Sequence, residues 1–123
     1  MTSEKSLMIV DDSKVSRMMI TTFIKEKKPE LKLYEASNSD EALSLSKGKQ
    51  INFFSVDYNM PGKNGMELIS ELKKTFPDSR FTLLTANIQD TIHEKAKNIG
   101  ATCINKPISN ESIESMLEFF YDN

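Results

Sequence analysis

Five polar side chains end or directly follow apolar runs in this 123-residue chain. Asp11 and Asp12 follow "SLMIV", Asp57 closes "INFFSV", Thr85 follows "RFTLL", and Lys106 comes just after "ATCIN". Brought together, the three acids would repel one another. Two full charges about 4 Å apart cost roughly 4 kcal/mol at an effective dielectric near 20. Lys106 supplies only one positive charge. A hard divalent cation on carboxylate oxygens is the economical remainder, and magnesium, with manganese as a substitute, suits such a donor set. A metal, a lysine and a hydroxyl around one carboxylate point to phosphoryl transfer onto that carboxylate. Asp57 would be the nucleophile and would carry an aspartyl phosphate. In-line transfer needs positioning and neutralised equatorial oxygens. Lys106 and the Thr85 hydroxyl can serve those oxygens, and Ala86 beside Thr85 is small enough to leave room.

Those residues need a frame that brings them to one place. "SLMIV" (Ser6–Val10) has the pattern of a buried strand. From Ser13 to about Lys28, Val15, Met18, Met19, Ile20, Phe23 and Ile24 fit a helix packed on one side, and Pro29 marks its end. "LKLYEA" (Leu31–Ala36) alternates as a half-covered edge strand does. "SDEALSLSKG" is a short helix, with Ser39 as N-cap and Gly48 past its end. "INFFSVD" is the third strand. Asn64 caps the next helix in an Asn-led capping box with Glu67, and Leu68, Ile69, Leu72 and Phe76 form its buried stripe. "RFTLLTA" (Arg80–Ala86) is strand four. Ile88, Ile92, Ala96 and Ile99 mark helix four, ended by Gly100. "ATCIN" is strand five, and Ile113, Met116, Leu117, Phe120 and Tyr121 mark the last helix.

Strict strand–helix alternation with continuous apolar strands predicts an α/β fold, a parallel sheet with helices on both faces. In such an open sheet, ligands bind beyond the carboxyl ends of the strands. All five site residues lie at those ends, so they are expected to converge. The five units fill residues 1–123, which leaves one domain.

The composition is that of an ordinary soluble domain, 38% hydrophobic and 28% charged, with a formal net charge of -2. A slightly acidic chain has no global attraction to nucleic acid or to an anionic membrane. No apolar run approaches the roughly 20 residues of a membrane helix. "MTSEKS" lacks the apolar core of a signal peptide. The single cysteine, Cys103, permits no internal disulfide and fits the cytoplasm.

Taken together, "MIVDDSKVSR", "VDYNMPGKNG", "LLTAN" and "INKP" resemble the receiver domain of two-component response regulators, in its stand-alone, chemotaxis-type (CheY-like) form. Each motif alone is weak. Four of them at successive strand ends, in order, over about Leu7 to Phe120, are specific. The resemblance implies the flavodoxin-like strand order 2-1-3-4-5. It implies that Asp57 accepts a phosphoryl group from a histidine kinase or histidine phosphotransfer protein. Asp12 would hold magnesium directly, Asp11 largely through water, and Asn59 through its backbone carbonyl. Lys106 and Thr85 would contact the phosphoryl oxygens, and the Lys106–Pro107 peptide would be cis. A protein target would read the surface of helix four, strand five and helix five. The chain would be a signalling protein and not an enzyme. One residue departs from the pattern: Cys103 stands where family members usually carry Tyr or Phe. The coupled turn of Thr85 and an aromatic ring cannot operate in that form.

Other readings carry less. An aspartyl-phosphate phosphatase or phosphotransferase would place a second acid two residues after the nucleophile, and that residue is Asn59. A phosphorylation-independent interaction module would not need the full set of acids, threonine and lysine. "PGKNG" lacks the GxxxxGK[ST] spacing of a P-loop and serves a tight loop and helix start. His93 is expected on a partly polar, solvated face. Cys103 reads as a small core residue, and the methionines as core packing. Lys25, Lys27 and Lys28 read as a solvated helix end that favours the dipole.

Overall fold

The computed structural model describes residues 4–86 and 90–122. Strands and helices alternate as β1 (Ser6–Val10), α1 (Lys14–Lys27), β2 (Lys32–Ala36), α2 (Ser39–Ser46), β3 (Phe53–Asp57), α3 (Gly65–Thr75), β4 (Arg80–Thr85), α4 (Asp90–Asn98), β5 (Ala101–Asn105) and α5 (Asn110–Phe120). The sheet order is β2-β1-β3-β4-β5, with all four pairings parallel. The fold is α/β, doubly wound and flavodoxin-like. Strand order reverses beside β1, so the crevice between the ends of β1 and β3 is the switch point.

Strand side chains alternate between two apolar layers. Met8, Val10, Phe54, Val56, Phe81 and Leu83 pack under α2, α3 and α4. Leu7, Ile9, Phe53 and Leu84 pack under α1 and α5. Aromatic stacking joins elements on each side: Phe54 lies on Phe81 at 4.9 Å and Phe53 on Phe120 at 4.7 Å between ring centroids. Because β1 and β3 are covered on both faces, every residue in them is buried and most are apolar, as in a central parallel strand. The edge strand β2 is half covered. Among the described residues, no helix is long and apolar enough to cross a membrane.

Caps fix where helices begin. Asn64 and Glu67 form the expected box, each side chain bonding the other's backbone N–H at 3.0 Å. Helix α2 departs from expectation. Its N-cap is Asn38, whose side chain accepts the Glu41 N–H at 2.8 Å, while the Glu41 carboxylate accepts the Ser37 N–H at 2.8 Å. Ser39 is instead buried in the first turn, and its hydroxyl donates to the Lys63 carbonyl, tying α2 to the β3–α3 loop.

Helix α1 also corrects the sequence pattern. Ile20 and Ile24 are buried, but Val15, Met18 and Met19 are 66%, 58% and 41% exposed. Ser16 and Arg17 take the inward positions of the first turns instead, because that end of the helix meets the polar carboxyl edge and not the apolar core. Met18 and Met19 are therefore not core residues, unlike Met8 and Met116. At the other end Lys27 pairs with Glu114 at 3.3 Å and Lys28 sits 4.6 Å from the Tyr121 ring, so this end is docked on α5 rather than merely solvated. Ile88 and Asn87 lie outside the described residues. In α4, Ile92 and Ala96 are buried as expected.

Candidate functional site

The site is built on the ends of β1, β3, β4 and β5. Asp11 follows β1 directly and is 1% exposed. Its N–H donates to the Ala36 carbonyl at 3.1 Å, and one carboxylate oxygen accepts the Ser13 N–H at 2.9 Å. Ser13 also caps α1, accepting the Ser16 N–H at 3.2 Å. The turn that starts the helix therefore also holds the acid. Asp12, next along, is exposed.

Asp57 is the last residue of β3, in register with Leu84 and 5% exposed. The chain then turns sharply. Tyr58 N–H donates to the Leu84 carbonyl at 2.8 Å, and Gly65 N–H to the Tyr58 carbonyl at 3.0 Å. Asn59 lies exposed in this loop. Thr85 ends β4, buried, with Ala86 exposed just beyond it. The Lys106 N–H donates to the Thr85 carbonyl at 3.0 Å, and the Lys106–Pro107 peptide is cis.

The Lys106 ammonium reaches back across the edge, 3.0 Å from Asp57 Oδ1 and 3.3 Å from Asp11 Oδ2. Carboxylate oxygens of Asp11, Asp12 and Asp57 lie within 4.8 Å of one another. The fold thus gathers three acids and one lysine that are far apart in sequence. Cys103, in register with Leu83, is half-buried against the layer under α2–α4 and is not part of this cluster.

One lysine cannot balance three acids. Burial is the main cause that raises the Asp57 carboxyl above its ordinary value; the Lys106 hydrogen bond lowers it, and the charges of Asp11 and Asp12 raise it further. For Lys106, burial is the largest influence and pulls the ammonium down. The hydrogen bonds and charges of Asp57 and Asp11 together outweigh it, and the net shift is upward. Both partners rise: Asp57 because burial outweighs the pull of Lys106, and Lys106 because it gains from two carboxylates. The surplus negative charge and the hard oxygen donors fit a divalent cation of the magnesium type.

Two features at the edge escaped the sequence reading. Arg17 is 16% exposed, and its Nη1 donates to the Asp11 carbonyl at 2.6 Å. The signal was its spacing: Arg17 precedes Ile20 and Ile24 by three and seven positions, which puts it on the inward stripe. Gly65 reads in the sequence as serving a tight loop and helix start, and its bare α-carbon also faces the Asp57 backbone. His93 departs from its expected solvation. It is half-buried, and its Nε2 is shielded from water with no hydrogen-bond partner among the described residues.

Parallel sheet order, an acid-lined switch point and a bridging lysine define a receiver-type domain. The chain belongs to the response regulator receiver domain family, whose model matches residues 7–118. It is 31% identical over 97 residues to the chemotaxis protein CheY of Thermotoga maritima, covering 79% of this chain and 80% of that protein. It is 30% identical over 97 residues to the cyclic di-GMP phosphodiesterase response regulator RpfG of Xanthomonas campestris, covering 77% of this chain but only 26% of that longer protein. Among solved structures it resembles a response regulator from Burkholderia pseudomallei, determined with a phosphorylated aspartic acid, a calcium ion and citrate. The TM-score is 0.80 at 28% identity, over 92% of this chain and 66% of that one. Receiver domains in general interact with histidine kinases and downstream targets, and bind Mg2+ through acidic residues.

Proposed function

We propose that this receiver domain is a phosphorylation switch in which Asp57 takes a phosphoryl group from a phosphohistidine donor. The donor would be a histidine kinase or a histidine phosphotransfer protein. The observation that carries this reading is the Lys106 ammonium set between the carboxylates of Asp57 and Asp11 at the switch point. The phosphorylated aspartic acid and calcium ion of the Burkholderia structure support it by likeness.

An Asp57 carboxylate oxygen attacks phosphorus in line, forming an O–P bond as the P–N bond to the donor histidine breaks. The electron pair leaves with the imidazole nitrogen. Asp11, Asp12 and Asp57, with the backbone carbonyl of Asn59, would hold the magnesium, which would neutralise phosphoryl oxygens. Lys106 neutralises another oxygen, and the Thr85 hydroxyl donates to one. Ala86, with no side chain beyond a methyl, leaves the space open. The added charge, about two negative units at neutral pH, then biases a surface formed by α4, β5 and α5 that a protein target reads. Cys103 supplies no ring at β5, so the signal travels without an aromatic rotamer there.

In this reading the chain is a phosphoacceptor and not an enzyme, working in the cytoplasm. The Thermotoga relative supports chemotaxis-type signalling as its output. The test is incubation with acetyl phosphate and Mg2+. A base-labile acyl phosphate should appear on Asp57, be lost in Asp57→Ala and with EDTA, and form slowly in Lys106→Ala. No modification of the wild-type chain would sink the proposal. Multiple turnover of an ordinary phosphoester would favour a phosphatase instead.

A further inference from the structure

Asp11 is held by its carbonyl oxygen as well as by its N–H and its carboxylate. That carbonyl accepts a 2.6 Å hydrogen bond from Arg17 Nη1. The same guanidinium places its Nε 3.1 Å from Glu35 Oε1. Arg17 is in the first turns of α1 and Glu35 is on the edge strand β2. The planar fork is therefore fixed from two sides, with Arg17 16% exposed and Glu35 46% exposed. The carbonyl it grips belongs to the peptide unit joining Asp11 to Asp12. A peptide is planar, so fixing its oxygen fixes the direction in which the chain leaves toward Asp12.

We infer that Arg17 is a positioning residue for the metal-binding acids: by clamping the Asp11–Asp12 peptide it sets where Asp12 stands relative to Asp11 and Asp57. The inference rests on the reading of these acids as a magnesium site. It adds a residue that touches none of the carboxylates of that site in the structure. Asp12 has most to gain. Asp11 and Asp57 are buried and tied to Lys106, whereas Asp12 is exposed, and its backbone provides its placement.

Charge and geometry give opposite signs here. Arg17 is a cation near a cation site, so as a charge alone it weakens magnesium binding, and removing it would tighten the complex. As a clamp, its removal lets the peptide unit turn and weakens the complex. Partners that orient metal ligands from outside the ligand shell typically contribute 10- to 100-fold in affinity.

The test is calorimetric titration of Mg2+ alone into the full chain, for wild type, Arg17→Ala and Arg17→Lys, with thermal unfolding in EDTA as the fold control. Arg17→Ala should bind Mg2+ about 10-fold more weakly while still unfolding cooperatively in EDTA. Arg17→Lys keeps the charge but loses the planar fork, and should bind about threefold or more weakly. Unchanged or tighter binding by Arg17→Ala overturns the inference. If Arg17→Ala does not fold, Arg17→Lys decides, and wild-type affinity in it overturns the inference. Asp12→Asn separates the two levels. Wild type that binds no Mg2+, or binds it as well after Asp12→Asn, overturns the magnesium reading and the role of Arg17 with it. Binding that depends on Asp12 but not on Arg17 overturns the role of Arg17 alone.

Discussion

Gly65 packs its bare α-carbon against the backbone of Asp57. A β-carbon there would overlap the Asp57 carbonyl oxygen and lie 2.8 Å from Leu83 Cδ1 and 2.9 Å from Tyr58 Cα. The first residue of α3 is thus pressed onto the end of β3.

Gly65→Ala tests that fit. In an open helix position this change would stabilise by about 0.5–1 kcal/mol. Here the obstacle is backbone, which cannot rotate away, so destabilisation of about 1–3 kcal/mol is expected. Urea unfolding measures it. Acyl phosphate formation at Asp57 should slow in the same variant, because the carboxylate moves with its strand end. A variant as stable as wild type would show that the two elements can separate freely.

Asp57→Asn should make the protein more stable at neutral pH without metal. Burial raises the Asp57 carboxyl above 3.8, its ordinary value. The folded state then binds the proton more tightly than the unfolded state. Stability therefore falls as pH rises from 3.8 through the folded value, and the penalty persists above it. At pH 7 in EDTA the variant should gain stability, Lys106 keeping Asp11 as its partner, and the gain should shrink as pH approaches 3.8. Saturating Mg2+ should close or reverse the gap by stabilising the wild type, by about 2.7 kcal/mol at 100 times Kd. An Asn variant less stable than wild type at pH 7 in EDTA would contradict this balance.

Cys103 should be a slow thiol. Burial pushes its pKa up from 9.0. The thiolate is the reactive form, so at pH 8 a smaller fraction is available than in an exposed cysteine. Alkylation of the native protein by iodoacetamide should be several-fold slower than that of the urea-unfolded chain at the same pH, and should accelerate as pH is raised. Equal rates for the two states would mean that the side chain is not shielded at β5.

Much of the fold was legible because its signals are short in range. "ATCIN" and "SLMIV" are apolar, bounded by polar residues, and became β5 and β1 with the expected bounds. Asn64 and Glu67 announced a helix start that involves only neighbours. The site acids were legible for a related reason: in a parallel sheet every strand ends at the same edge, so a residue's position after its strand says where it will be. Less local features were not. The pattern of α1 admitted Val15, Met18 and Met19 as core, because hydrophobicity gives a stripe without saying that half of the helix faces a polar edge. Ser39 and Asn38 are both good caps, and the choice fell to Asn38 once Ser39 had the Lys63 carbonyl within reach.

The sequence by itself determined the alternation of strands and helices, the parallel sheet, and the gathering of Asp11, Asp12, Asp57, Thr85 and Lys106 at one edge. Each follows from periodicity and from strand polarity. Tertiary structure alone decided how those residues are held. Lys106 is shared between Asp57 and Asp11, Arg17 grips the peptide between the paired acids with Glu35 behind it, and Gly65 closes on the backbone of Asp57. These are contacts between different segments of the chain, set by packing, and no pattern within one segment encodes them.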